Sequence, residues 1–286
     1  MWLLYAFGSA LFAGLTSILA KVGVRTTDSN LATALRTIVV LLFSWLMVLI
    51  VGSESILSSL SGRTVLFLVL SGGATGASWL CYFRALQLGS VNQVTPIDKS
   101  STILTMLLAF LFLQEVPTPA MWGGMLLIGL GTYLMIQRNE AAPTVAKGKS
   151  WLLYALLSAL FAALTSILGK VGIQDVESNL GTAIRTLVVL VMAWGIVFGQ
   201  KKQHLLKGID RKSWLFLFLS GLATGLSWLC YYRALQEGKA SLVVPIDKLS
   251  IVVTVAFSYG ILKEKLSVRA TIGLLLLVSG TLVLLL

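Results

Sequence analysis

Asp98, Ser101 and Thr105 stand at i, i+3 and i+7, a spacing that lines side chains up on one face of a helix. Asp247, Ser250 and Thr254 repeat the pattern. A carboxylate above two hydroxyls can hold a cation, a substrate amine or a coupling proton. Asp98 and Asp247 are therefore candidate coupling-ion sites, and Ser101 and Ser250 candidate substrate contacts. The competing role is structural. Each aspartate follows a proline, Pro96 or Pro245, that suits a helix start. An acid there favours the helix dipole, while Lys99 or Lys248 reaches the headgroups.

Arg36 and Arg185 lie at matching places in two other apolar stretches. Each can bind a substrate carboxylate, pair with Asp98 or Asp247, or snorkel to the interface. Thr75, Ser78, Trp79 and Tyr82 form an i, i+3, i+4, i+7 stripe, and Thr224, Ser227, Trp228 and Tyr231 form another. Such a face suits a cavity wall, where Trp holds apolar or cationic groups. An interfacial aromatic belt is the alternative for the two tyrosines. Ser9, Ala13, Thr16 and Ala20 make a small-residue face, as do Ser158, Ala162, Thr165 and Gly169. These are packing surfaces first, with Thr16 and Thr165 as further candidate contacts. Gly72 and Gly76, Gly221 and Gly225, and Gly124, Gly131, Gly273 and Gly280 also read as packing. Glu115 and Glu264 read as structural residues of a turn.

The elements that carry these residues must be membrane spans. Of 286 residues, 57% are apolar and 12% charged, against about 25% charged in soluble domains. Apolar stretches of about 20 residues recur, the length that crosses the hydrocarbon core. The N-terminus starts directly with Trp2-Leu3-Leu4-Tyr5, which reads as the first span and not a cleaved signal. The net charge of +11 sits in short loops. It suits anionic headgroups and not nucleic acid. Cys81 and Cys230 fall inside spans and read as small buried apolar residues.

A shift of 149 residues aligns the two halves without a gap. Trp2-Leu3-Leu4-Tyr5-Ala6 matches Trp151-Leu152-Leu153-Tyr154-Ala155, and Pro96-Ile97-Asp98-Lys99 matches Pro245-Ile246-Asp247-Lys248. The expected fold is an all-α integral membrane protein of ten transmembrane helices, in two five-helix inverted-topology repeats. The repeats occupy 1–137 and 151–286, joined by a polar linker, 138–150. The spans are expected at 2–20, 31–51, 64–88, 94–113 and 119–137, then 151–169, 180–199, 213–236, 243–262 and 268–286. Five crossings end on the far side, so the second half is upside down relative to the first, a plan common among secondary transporters.

Basic residues in loops orient such a chain. The loop from Gly52 to Gly62 has none, whereas its partner from Lys201 to Lys212 holds Lys201, Lys202, Lys207, Arg211 and Lys212. Loop charge puts both termini outside and the linker inside.

Tyr82-Phe83-Arg84-Ala85-Leu86, Pro96, Gln114-Glu115, Gly124 and Gly131 resemble the drug/metabolite transporter superfamily, and most closely its EamA type. Tyr231-Tyr232-Arg233-Ala234-Leu235, Pro245, Lys263-Glu264, Gly273 and Gly280 repeat the likeness. The resemblance implies a central cavity lined by the first, third and fourth helices of each half, and transport of amino acids, other metabolites or drugs. It also implies both termini in the cytoplasm, opposite to the loop charges. The two halves look like a fused pair of single five-helix units.

The expected activity is secondary transport of a small polar or amphipathic metabolite by alternating access, in a bacterial or archaeal inner membrane. Arg36, Lys99, Arg185 and Lys248 outnumber Asp98 and Asp247 inside the spans, which favours a substrate with a carboxylate, and a zwitterion would use both signs. The alternative is a multidrug or small-cation exporter, but the related small multidrug-resistance proteins use a glutamate in the first helix, and no acid stands there here. No metal-ligand spacing, phosphate loop or nucleophile motif is present, so neither a cofactor nor an enzymatic activity is expected. The partners expected are a small-molecule substrate and the lipid bilayer, for a monomer or homodimer.

Overall fold

The computed structural model describes residues 1–23, 27–88, 94, 97–98, 100–135, 150–262 and 267–286. The linker before Ser150 lies outside these, as do Arg25, Pro96, Lys99, Lys263, Glu264 and Lys265. Among the described residues the regular structure is helical throughout. The α-helices are α1 (Trp2–Gly23), α2 (Ser29–Val51), α3 (Gly62–Leu88), α4 (Ser101–Phe112) and α5 (Pro119–Met135). They continue with α6 (Ser150–Gly172), α7 (Ser178–Gly199), α8 (Arg211–Glu237), α9 (Ala240–Lys248), α10 (Ser250–Leu262) and α11 (Val268–Val283). Among the described residues seven apolar helical stretches are long enough to cross a membrane, and α4, α5 and α11 are shorter apolar helices. The chain is an integral membrane protein.

The fourth span of the second half is not one helix. Its apolar run, Ala240–Phe257, is divided between α9 and α10 at Leu249, whose N–H turns to the Ile246 carbonyl at 2.9 Å. Pro245 sits inside α9 one turn earlier, and a proline ring displaces the helix around it. Asp247 therefore closes α9, at an end the helix dipole makes unfavourable for an acid. It is not a cap, and it shares no unbroken helix with Ser250 and Thr254. Asp98 likewise precedes α4, whose N-cap is Ser100.

The chain forms two compact units, and each draws on both halves of the sequence. The first comprises Met1–Gly73, Leu168–Gly238 and Ser250–Lys263. In it α1 packs along α8 and α10, and α2 along α7 and α8. Helices α2 and α7 start on acids at matching positions. Asp28 accepts from the N–H groups of Asn30 and Leu31 at 3.0 and 3.2 Å, and Glu177 from those of Asn179 and Leu180 at 2.9 and 3.0 Å. Each cap is gripped by a residue that follows the other helix. Lys202 Nζ lies 2.6 Å from Asp28, and the Ser53 hydroxyl donates to Glu177 at 3.1 Å.

The second unit comprises Ala74–Ile167, Lys239–Leu249 and Glu264–Leu286. Its tightest feature is the crossing of α5 and α11. A Cβ on Gly131 would stand 2.6 Å from the Gly273 carbonyl oxygen, and one on Gly273 would stand 2.7 Å from that of Gly131. Gly124 and Gly280 repeat this reciprocal contact at 2.7 and 2.8 Å. Backbone meets backbone, so only glycine fits. Met106, Met121, Met125, Ile128 and Leu284 fill the space beside the crossing.

Gly131→Val should lower stability by about 1–3 kcal/mol or more, because a carbonyl cannot retreat as a side chain can. Gly123→Ala should be tolerated, since nothing lies within 4 Å of its Cβ position. Thermal unfolding of the detergent-purified protein checks both. A second expectation concerns pH. Burial raises the Asp28 carboxyl, but its hydrogen bond to Lys202, the Leu31 and Asn30 N–H groups and the Lys202 charge together hold it below its ordinary 3.8. A lowered acid stabilises the fold fully above its ordinary value and loses that contribution as pH falls through the lowered one. Asp28→Asn should therefore cost stability at neutral pH, by about 1 kcal/mol or less for a partly exposed pair. The difference from wild type should shrink below about pH 4 in paired melting curves.

Candidate functional site

The polar residues of α1 and α8 meet in the first unit. The Ser227 hydroxyl donates to the Ser9 carbonyl at 3.1 Å, and that of Ser220 to the Thr16 carbonyl at 3.1 Å. Side chains of small size allow these helices to approach closely enough for such bonds. Thr16 Oγ1 and Thr224 Oγ1 lie 3.3 Å apart. The Thr224 hydroxyl donates to the Ser220 carbonyl at 2.7 Å and accepts from Arg36 Nη2 at 2.8 Å. Arg36 thus reaches from α2 onto the seam between α1 and α8.

Arg185 reaches from α7 and is 1% exposed, so it does not snorkel. Its guanidinium carbon lies 4.4 Å from the Tyr232 ring centroid and 5.1 Å from that of Trp228. Its Nε donates to Ser71 at 3.4 Å. Tyr231 stands edge-on to Tyr232, with centroids 5.2 Å apart.

The second unit repeats the hydroxyl seam between α3 and α6. Ser78 donates to the Ser158 carbonyl at 3.0 Å, and Thr75 and Thr165 lie 3.3 Å apart. Here the seam meets an acid: the Ser158 hydroxyl donates to Asp98 Oδ1 at 2.8 Å. Asp247 lies 3.9 Å from its neighbour Lys248. Tyr82 packs with Trp151 and Tyr154 against Ala85, Val94 and Ala155. Trp79 is half-buried.

The expected cavity stripes are therefore built differently from one smooth wall. Ser78 and Ser227, 7% and 4% exposed, bridge helices. Thr105 and Thr254 turn back onto the carbonyls of Ser101 and Ser250, at 2.8 and 3.0 Å. What the seams bring together is hydroxyls with one arginine in the first unit, and hydroxyls with one aspartate in the second. Sequence reasoning missed the Tyr232 lid on Arg185, the Ser71 and Ser158 contacts, and the caps at Asp28 and Glu177. The tyrosine had a signal: position 83 of the first half is Phe where Tyr232 stands in the second.

Glu115 takes the structural part expected of it. Gln114 adopts a left-handed φ of 54°, which turns the chain out of α4. The Glu115 carboxylate then accepts from the N–H groups of Ala240 and Ser241, at 2.7 and 3.0 Å, and from the Ser241 hydroxyl. It closes the N-terminus of α9, where a negative charge is favoured.

Two stretches of the chain, 1–137 and 149–286, each match the EamA-like transporter family. An uncharacterized transporter from the cobO 3' region of a Sinorhizobium species is 46% identical over 136 residues, 96% of its own length and 48% of this chain. That relative is about the length of one repeat. The uncharacterized transporter YxxF of Bacillus subtilis is 23% identical over 222 residues, 77% of this chain and 70% of its own. A solved crystal structure superposes with a TM-score of 0.82, covering 99% of this chain and 96% of its own, at 18% identity. That likeness shows the fold alone.

Glu115→Ala should destabilise the protein by about 2–5 kcal/mol, because it leaves two buried N–H groups without an acceptor. Glu115→Gln should cost less, since one oxygen remains. Chemical or thermal unfolding of the three proteins side by side tests the order.

Proposed function

The chain belongs to the EamA-like transporter family, present in two repeats, and from this we propose that it is a secondary active transporter for a small amino-acid-like metabolite. Its general role is membrane transport and not enzymatic catalysis. In this reading the seven long apolar stretches and the three shorter helices make ten crossings. The repeats insert in opposite directions, with the sequence domains at 1–137 and 151–286. Alternating access follows from two such repeats rocking about a shared site.

One observation supports it above the others. Ionisable side chains are costly inside a membrane span and mark substrate or ion pathways. Here both signs occur, each on a polar seam: Arg36 on Thr224 in the first unit, and Asp98 on Ser158 in the second. The arginine suits a carboxylate, and the aspartate suits an amine or a proton. Asp98 and Asp247 are the groups for a substrate amine or a coupling proton, and the half-buried Trp79 and Trp228 suit the apolar part of a substrate. The basic stretch from Lys201 to Lys212 faces the cytoplasm in this reading, with both termini outside.

Proteoliposomes carrying the purified protein should take up labelled amino acids, faster with an acidic exterior than without a gradient. Asp98→Asn should cut the gradient-driven part by at least about tenfold, the effect of losing one essential protonatable group. Absence of flux across amino acids, amines and sugars would refute the proposal.

A further inference from the structure

Resting on this transport reading, we infer that the two in-span arginines do different work: Arg36 anchors one carboxylate of the substrate, and Arg185 is a fixed structural cation. They occupy equivalent places 149 residues apart, so their surroundings compare directly.

Arg185 is enclosed. Two aromatic faces cover its guanidinium, and it is 1% exposed. The enclosure depends on a paired difference between the halves. A Cβ on Gly169 would stand 2.7 Å from Tyr232 Cε1 and 3.1 Å from Ser71 Oγ, so glycine makes room for the tyrosine. At the equivalent positions the first half has Ala20 and Phe83. A cation held between rings and a hydroxyl has little surface left for a ligand.

Arg36 differs. Its Nη2 bonds Thr224, while its Nε is buried and, among the described residues, has no hydrogen-bond partner. Within its own unit no described carboxylate lies within salt-bridge distance. The hydroxyls around it are directed elsewhere. The Thr224 proton goes to the Ser220 carbonyl, so Thr224 can only accept from Arg36. The Thr16 hydroxyl can then offer its proton to Thr224. Thr16 and Thr224 are positioning residues that hold one corner of a guanidinium fork, and the buried Nε–H remains for a bidentate acceptor. A carboxylate fits that fork in geometry and in charge.

The test uses L-leucine, L-phenylalanine and L-glutamine, each beside its amide and its decarboxylated amine. Binding is read as thermal stabilisation of the full chain in detergent, and transport as uptake into proteoliposomes. The acids should bind at least about tenfold better than the amides, and Arg36→Gln should erase that preference, a loss of about 10- to 100-fold for a bond to a charged group. Arg36→Lys should restore it only in part, because an ammonium cannot fork. Thr224→Val, close in shape, should reduce the preference, and it decides the matter if Arg36→Gln does not fold. Tyr232→Phe keeps the ring over Arg185 and should leave the acid-over-amide ratio unchanged. Folded Arg36→Gln or Thr224→Val protein with the full preference would overturn the assignment, as would loss of the preference in Tyr232→Phe. Wild-type uptake that ignores the carboxylate would overturn it while leaving the transport reading intact. No uptake of any probe would remove both.

Discussion

Water is absent from the hydrocarbon layer, so every polar group carried into it must find its partner in the chain. That demand organises both units. In the first, hydroxyls from α8 fill the carbonyls of α1 at Ser9 and Thr16. In the second, Ser78 does the same for α6. The seams let helices approach, and they form a polar strip on which a charged side chain can rest without facing lipid. Arg36 and Asp98 occupy those strips. A guanidinium stranded among leucines would cost several kcal/mol, and here each charge has a hydroxyl partner on its seam.

Much of this was legible in the sequence. The repeat, at a constant offset of 149 residues, matches the stretches of one half to those of the other, and the small residues of the first helix mark a packing surface, which is the α1–α8 seam. The glycines of the fifth helix were read as packing and are the α5–α11 crossing. Other features were not legible, because they depend on which helices meet. Serine at position 78 reads equally well as cavity wall or as bridge until α6 is beside it. The break at Leu249 depends on where Pro245 falls within a turn. Asp98 looked like a cap because it follows a proline, yet its partner, Ser158, is sixty residues away.

The halves differ at the C-terminal ends of α2 and α7. Gly52 ends α2 with a φ of 73°, and its equivalent, Lys201, holds 55°. Glycine takes that conformation freely, and lysine at a cost of about 1 kcal/mol. The positive charge sits there despite the strain. The next position shows the same exchange: the Ser53 hydroxyl, itself uncharged, donates to Glu177, and Lys202 makes an ion pair with Asp28. The two halves thus make equivalent contacts at this point with different charge.

The α5–α11 crossing carries a consequence of its own. Gly131 faces Gly273 as Gly273 faces Gly131, and Gly124 and Gly280 stand in the same relation. Positions 124 and 131 correspond to 273 and 280 across the repeat, so each patch meets its own equivalent, the pattern of an isologous contact. Nothing in it requires that the two patches belong to one polypeptide. Each side of such a joint can vary alone, as Ala20 and Phe83 against Gly169 and Tyr232 do elsewhere in the chain.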